Sequence, residues 1–546
     1  MKRIKTVFSP LISYIFGLIA ALPLCFDGIG VLIFGSFIPF LYTVFADIGG
    51  IGNREVKKRH PYLSSYGRGL LFFLGYYMGA YFWFWSMYPL DFAGFNEGEA
   101  LAVILLAWIG LPLMQAAFYA LMMPLFLLIT RKSGKSVYAV ICFSALFVIF
   151  GYFQTLTWAG VPFAPPAVAL YRARIFLQGA SLFGSLFVDF LIITVNALIA
   201  RAAVSFRQEF DLDRAGRLIV GALAVFILNT AFGGIVMLAP ENTDTPVKIT
   251  VLQGNISSTD RHSLADSPLD VYCDMAIEAA ELHSPDIIVM PETTLVNTIR
   301  RGSYYERVFT SLAERTGAEI LVSAFYDDKE NDKYHTSIYL FSPDTGMSEI
   351  VYSKQKLVPF GEFVPMKELI EAIAPPLAEL TLGVQEIDAG NSSRPLPSKL
   401  GGIGGQLCFD TVYAPITRGE VSEGAELIVV GSNDSWFGDS RAIYIHHAHS
   451  VLRAIEGGRS FAVSASTGIS AIITNEGEIL GETLPLERAS VTDTVYMQSE
   501  RTLYSVIGDS FVIICAVYVL LYPFADKLSM LAKKVLGKEN KTVANN

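Results

Sequence analysis

Residues 401–410 read GGIGGQLCFD, and this stretch decides what kind of fold surrounds it. Its glycines allow another segment to approach the backbone closely, and they permit a sharp turn at the end of a strand. That turn can lift the Cys408 thiol clear of the strand as a nucleophile. Working outward, residues 246 to about 500 alternate short β-branched runs with amphipathic helical stretches. Strands are expected in VKITVLQGN (247–255), DIIVMPE (286–292), AEILVSAFY (318–326), TSIYLFSP (336–343) and EIVYSK (349–354). Further strands are expected in ELIVVGSND (426–434), SFAVSAS (460–466) and SAIITNEG (470–477). Helices are expected over 268–283, 303–316, 366–373 and 442–457, the third stopped by Pro375-Pro376, which cannot donate to a helical ladder. Many short strands interleaved with helices imply a layered α/β unit.

The rest of the chain has a different solvent. Mean hydropathy is +0.44 and only 17% of residues are charged, which points to a polytopic α-helical membrane protein. Apolar runs of membrane length lie near 9–26, 29–47, 69–88, 100–129, 137–154, 177–200 and 218–239, with an eighth near 508–526. The first two are separated by Asp27-Gly28, so a tight helical hairpin is expected, and the fourth is expected to bend near Pro112. Lys and Arg gather at Lys2, Arg3 and Lys5, at 54–68, 131–135 and 201–217, and after Lys527; the alternate short connections carry only Arg172 and Arg174. By the positive-inside rule both termini are cytoplasmic and the α/β unit faces the other side, the periplasmic face in a bacterium. The start MKRIK resembles a secretory signal, but the residues before Cys25 are not small and removing this span would spoil the charge alternation. The expected organisation is a seven-helix membrane domain (1–240), a catalytic domain (246–500), a last membrane helix (506–530) and a cytoplasmic tail (531–546). A net charge of −10 and a pI near 5.3 give no support for nucleic-acid binding.

Three residues of the α/β unit carry the chemistry. Cys408 supplies the thiol, which must lose a proton to attack a carbonyl. Glu292, at the end of the apolar run IIVM, can accept that proton in a poorly hydrated setting. Lys354, in VYSKQKLVPFGEFVP (351–365), offers a cation to the oxyanion. Lys356 is a rival for that role, because alternation along a strand would place both lysines on one face. His446 and His449 share a helix face, but no partner has metal-ligand spacing, so packed or solvated histidines are expected. Arg453, Glu456 and Arg459 fall at i, i+3 and i+6 of one helix and read as a structural ion network. Of five cysteines, Cys25, Cys142 and Cys515 lie in apolar runs. Cys273 sits mid-helix by pattern, which disfavours a disulfide with Cys408 even in an oxidising compartment.

The order PE after a strand, then Y-x-K-x-x-L-V-P-F-G-E, then a glycine-rich strand ending C-F-D is similar to the nitrilase superfamily. With LQGNI (252–256), SNDSWFGD (432–439), RAIEGGR (453–459) and the apolar runs, nearly the whole chain resembles its membrane-embedded branch, the apolipoprotein N-acyltransferase family. The resemblance implies a nitrilase-like αββα sandwich, with Glu292 as general base, Lys354 as transition-state stabiliser and Cys408 as nucleophile. It also implies Glu362 as a supporting glutamate. Asp410 stands where the family usually has Glu, and Phe409 where it usually has Tyr. The region after QGNI commonly carries a Trp; here it reads SSTDRHS, with His262 near that place.

The implied reaction is ping-pong acyl transfer, with a membrane phospholipid as donor and the N-terminal S-diacylglyceryl cysteine of a diacylated apolipoprotein as acceptor. No metal or cofactor is called for, and a monomer is expected. Residues 369–384, LIEAIAPPLAELTLGV, are a candidate lid, or else a packed surface helix and loop. The same trio would also serve a membrane-tethered amidase that hydrolyses a small amide. An inactive scaffold sits poorly with an intact trio, and a channel or transporter with so few ionisable residues inside the spans.

Overall fold

The structure, a computed structural model, describes residues 9–50, 60–90, 95–130, 138–239, 245–257, 267–292, 294–373 and 387–524. Among the described residues, five helical segments are long and apolar enough to cross a membrane: Gly30–Asp47, Glu97–Thr130, Tyr138–Thr155, Ser185–Glu209 and Leu212–Met237. Every other apolar run also falls on a helix, but Leu11–Cys25 and Ser510–Phe524 are shorter. The third run is displaced: its helix is Pro61–Ala80, and the aromatic stretch Phe82–Met87 is a 3-10 turn. The fourth segment stays helical through Pro112 and breaks at Leu121 instead. Pro124 follows three residues later, and its missing N–H leaves the Ala120 carbonyl without a helical partner. In the second segment the backbone breaks at Phe37, and Asn196 of a neighbouring helix bridges the gap. Its Oδ1 accepts from Phe37 N at 3.0 Å and its Nδ2 donates to Ile33 O at 2.9 Å. A polar backbone group away from water needs such a partner.

In chain order the strands are β1 (Pro246–Gln253), β2 (Ile287–Val289), β3 (Glu319–Asp328), β4 (Lys333–Ser342), β5 (Gly346–Met347), β6 (Tyr352–Ser353) and β7 (Leu396–Ser398). They continue with β8 (Gly401–Leu407), β9 (Leu427–Ser432), β10 (Ser460–Ala465), β11 (Ala471–Ile473), β12 (Ile479–Glu482) and β13 (Ala489–Tyr496). One sheet runs β13-β1-β2-β3-β4-β5, with β6 also on β4; the other runs β12-β11-β10-β9-β8-β7. The parallel pairs β1-β2-β3 and β8-β9-β10 form the two centres. Alternation along the strands then sorts the side chains. Val247, Ile249, Val251, Leu427 and Val429 meet between the sheets. Ile288 and Ile320 face the helices Pro268–His283 and Tyr304–Thr316 instead. The result is an αββα sandwich.

Ile428 and Val430 point out of the second sheet onto the helix Arg441–Gly457, and this core is continuous with that of the membrane helices. The helix is therefore buried on nearly every side. The segments meeting the sandwich are the connections poor in basic residues. Asp27 pairs with Arg441, Trp83 packs on Phe437, Phe163 O receives His449, and Arg172 pairs with Glu482 at 2.7 Å. The predicted i, i+3, i+6 network is only half present. Arg453 Nε lies 3.0 Å from Glu456 Oε2, while the helix ends at Gly457 and Gly458 turns left-handed (φ +62°). Arg459 is thereby carried away from the helix face and donates to the carbonyls of Ala425 and Gly458.

Candidate active site

Lys354 follows β6, whose Ser353 pairs with Ser337 of β4. Its N–H donates to Thr336 O at 2.9 Å and its carbonyl accepts from Gly390 N at 2.7 Å, so the backbone is held from both sides. The strand ends at Ser353, and alternation ends with it. Consequently Lys354 and Lys356 do not share a face. Lys354 Nζ, 1% exposed, donates to Glu292 Oε1 at 2.9 Å and Glu362 Oε1 at 2.6 Å, whereas Lys356 Nζ lies 4.9 Å from the centre of the Tyr413 ring. Glu362 Oε2 accepts from Val358 N at 2.9 Å, closing the turn that carries it. Glu292 follows β2 and passes close over β9. A Cβ on Gly431 would sit 3.1 Å from Glu292 N, a tight contact that would press on the Glu292 backbone.

Burial alone would lower the Lys354 ammonium, but the Glu292 and Glu362 carboxylates outweigh it and hold Lys354 well above its usual range. Burial pushes Glu292 above 4.5, Lys354 opposes this and Glu362 adds to it. Burial, then the Glu292 charge, pushes the Cys408 thiol well above 9, with Lys354 pulling the other way. Burial thus favours the protonated form of both the Cys408 thiol and the Glu292 carboxyl, and Lys354 opposes it at both. Attack by sulfur needs the thiol proton to move, and Glu292, whose charge acts on Cys408, is a candidate base.

Cys408 opens a 3-10 turn, Cys408–Val412, at the end of β8 and has φ +44°. A left-handed non-glycine residue costs about 1–2 kcal/mol, so its surroundings must hold it there. Asp410, fully buried, supplies much of that hold. Its Oδ2 accepts from Tyr352 Oη at 2.8 Å and Leu407 N at 3.0 Å. Its Oδ1 accepts from Gln355 N at 3.1 Å and Lys356 N at 2.7 Å. One carboxylate thus ties the cysteine turn to the segment carrying Lys354. Burial pushes Asp410 up to about 6 against the pull of Lys354 and these donors. Phe409 packs its ring edge-on against Tyr413 at 5.4 Å. All five cysteines are free, so no bridge joins Cys273 and Cys408.

Residues 12–198 match the apolipoprotein N-acyltransferase N-terminal domain, and residues 248–501 match the carbon-nitrogen hydrolase family. Apolipoprotein N-acyltransferase of Thermotoga maritima is 25% identical over 541 residues, covering 96% of this chain and 95% of its own. The enzymes of that name from Geobacter metallireducens (28%, covering 71% and 74%) and Gloeobacter violaceus (27%, covering 84% and 86%) are similar in the same way. Along nearly its whole length the chain is similar to apolipoprotein N-acyltransferases.

Against that family's pattern, the shorter Asp410 side chain still reaches four donors, because Tyr352 and the 355–356 backbone come close enough to meet it. Gly405 allows this approach: a Cβ there would sit 2.9 Å from Tyr352 Cβ. Two side chains that sequence reasoning did not assign also reach the cysteine. His446 Nε2 lies 3.0 Å from Cys408 O, and its Nδ1 lies 2.8 Å from Asp434 Oδ1. Donor atoms of Cys408, Asp434 and His446 fall within 4.8 Å of one another, a metal-like spacing, yet both ring nitrogens of His446 are already committed. His447 and His449 turn elsewhere, towards Glu482 and Phe163 O. The signal for Asp434 lay in SNDSWFGD, but its partner is remote in sequence. His262 and most of the candidate lid lie outside the described residues; of the lid, the end of the helix Lys367–Ile373 is described.

Proposed function

We propose that this chain N-acylates the N-terminal S-diacylglyceryl cysteine of apolipoproteins, taking the acyl group from a phospholipid by a ping-pong route through Cys408. The observation that carries the reading is the Glu292–Lys354–Glu362 chain, buried at Glu292 and Lys354, beside a strained cysteine, in a molecule whose other half is built of apolar helices. Glu292 takes the thiol proton as sulfur adds to the ester carbonyl. Lys354 and N–H groups opening the cysteine turn face the oxyanion. The carbonyl re-forms, the lysophospholipid alkoxide leaves with the proton from Glu292, and a thioester remains. The α-amine of the acceptor then attacks the thioester and gives its proton to Glu292. Collapse forms the amide and returns the proton to sulfur.

The proposed setting is the bacterial inner membrane, with both termini cytoplasmic and the sandwich on the periplasmic face. Its support is that the connections touching the sandwich are those poor in Lys and Arg. The proposed division is a seven-helix domain over 1–240, a catalytic domain over 246–500, a membrane helix over 506–530 and a tail over 531–546. The test is intact-mass analysis after mixing the protein with a defined phospholipid and no acceptor. An acyl adduct that is lost in Cys408→Ser and transferred to a diacylated lipopeptide is expected. Cleavage of a small amide with no lipid adduct would instead indicate an amidase.

A further inference from the structure

We propose that His446, held as an imidazolium by Asp434, is a positioning residue for acyl transfer: it clamps the Cys408 carbonyl and so fixes the turn that presents the thiol. This rests on the acyl-transfer reading above. The argument begins with hydrogen-bond chemistry. Nδ1 faces the Asp434 carboxylate at 2.8 Å and Nε2 faces the Cys408 carbonyl at 3.0 Å. Both neighbours are acceptors. A neutral imidazole has one N–H, so one contact would set lone pair against lone pair; an imidazolium donates to both. Thr411 Oγ1 is 3.2 Å from Nε2 and also donates to Cys408 O at 2.9 Å. Its single proton serves a bare Nε2 only by giving up that carbonyl.

The surroundings agree. Asp434 is buried, and its Oδ1 also accepts from Ser432 Oγ at 2.8 Å, which fixes its direction. A Cβ on Gly468 would collide with Asp434 Oδ2, so the carboxylate is packed in place. Burial lowers the basicity of His446, but the Asp434 charge and hydrogen bond outweigh it, and the net direction is upward from 6.5. The other groups facing it are the Cys408 thiol and Lys354, the latter already paired with two glutamates. On its own helix, burial pushes His447 and His449 down to about 3, so both are neutral neighbours.

The clamp reaches the chemistry through peptide planarity. The Cys408 carbonyl and the Phe409 N–H belong to one rigid plane, so holding the oxygen orients the N–H as well. That N–H is among the first of the 3-10 turn and has no partner within it. One imidazolium therefore sets the direction of the thiol and of a backbone donor to the oxyanion.

The experiment uses the full-length protein in phospholipid nanodiscs and follows acyl-Cys408 formation from pH 5 to 10, for the wild type, His446→Gln and Asp434→Asn. The wild type should show a basic limb above pH 6.5, as the imidazolium loses its proton. Asp434→Asn, which removes the charge but keeps the shape, should move that limb to lower pH. His446→Gln should abolish the limb and lower kcat about 100-fold, the scale of a misplaced reacting group, with KM for phospholipid unchanged. A wild-type profile without a basic limb, an unmoved limb in Asp434→Asn, or wild-type kcat in His446→Gln would each overturn the proposal. Should His446→Gln not fold, the wild-type and Asp434→Asn profiles still decide. If the wild type forms no acyl adduct, the acyl-transfer reading fails by itself. Iodoacetamide labelling of Cys408, read by peptide mass spectrometry, then tests the clamp without lipid: the same pH limb and the same shift in Asp434→Asn are expected, and a profile shared by both proteins refutes it.

Discussion

Replacing Lys354 with Met removes the cation from between the buried Glu292 and the partly buried Glu362 carboxylates and keeps most of the side-chain volume. Glu292 Oε1 and Glu362 Oε1 lie 2.9 and 2.6 Å from the same nitrogen, which puts them within roughly 5.5 Å of each other. At that separation two unit charges repel by about 3 kcal/mol for an effective dielectric constant near 20. Breaking a buried pair by deleting one partner costs about 3–5 kcal/mol in general, and the two figures agree. Lys354→Met should therefore be destabilised by about 3–5 kcal/mol at pH 8. The sign with pH follows from the carboxylates. Without Lys354 the folded-state pKa of Glu292 rises further above the unfolded one, so the folded variant gains protons, and stability, as pH falls. The deficit relative to wild type should shrink between pH 8 and pH 5. Glu362→Gln placed on top of Lys354→Met should recover much of the stability at pH 8 and none of the acylation. The assay is thermal unfolding in detergent across this pH range for the wild type, Lys354→Met and the double variant, beside the mass-spectrometric adduct assay. A deficit that does not change with pH, or a double variant no more stable than Lys354→Met, would refute the like-charge argument.

Two further outcomes are expected. Glu362→Gln alone removes a negative charge that raises Glu292. The base acts ionised, so the rate falls as pH drops through its raised pKa; the acid limb of acylation, measured as adduct rate against pH, should move to lower pH in the variant. Asp410→Asn sets an NH2 group against donors: with its oxygen towards Gln355 and Lys356, the Tyr352 hydroxyl can turn to accept, but Leu407 N–H cannot. That orphan costs about 1–3 kcal/mol. The acylation rate, which depends on where Lys354 and Cys408 stand, should register it more sharply than the melting temperature, and an unchanged rate would show that the tie is dispensable.

The strands legible in the sequence were those with continuous β-branched runs, because parallel strands buried on both faces announce themselves locally. β13 was missed. Its ASVTDTVY carries polar residues, and its partner is β1, at the other end of the unit. The apolar runs located the membrane helices, but their ends moved where turn chemistry intervened, as at Pro61 and Leu121. The choice between Lys354 and Lys356 turned on where β6 stops, which no alternation pattern reveals. Asp410 stands where the family usually has Glu and accepts four hydrogen bonds, three of them from a segment more than fifty residues away.

What the sequence determined by itself is what depends on residue type and local order. Apolar length marks the helical half, the uneven spread of Lys and Arg supports one proposed orientation for it, and three motifs single out a glutamate, a lysine and a cysteine. What only the tertiary structure decided is which groups meet. Lys354 lies between two glutamates, Asp410 joins two loops, and His446 reaches the Cys408 carbonyl from a helix 38 residues away. The reason is physical: hydrogen bonds and ion pairs act over about 3 Å, and chain separation carries no information at that range once the sheets have packed.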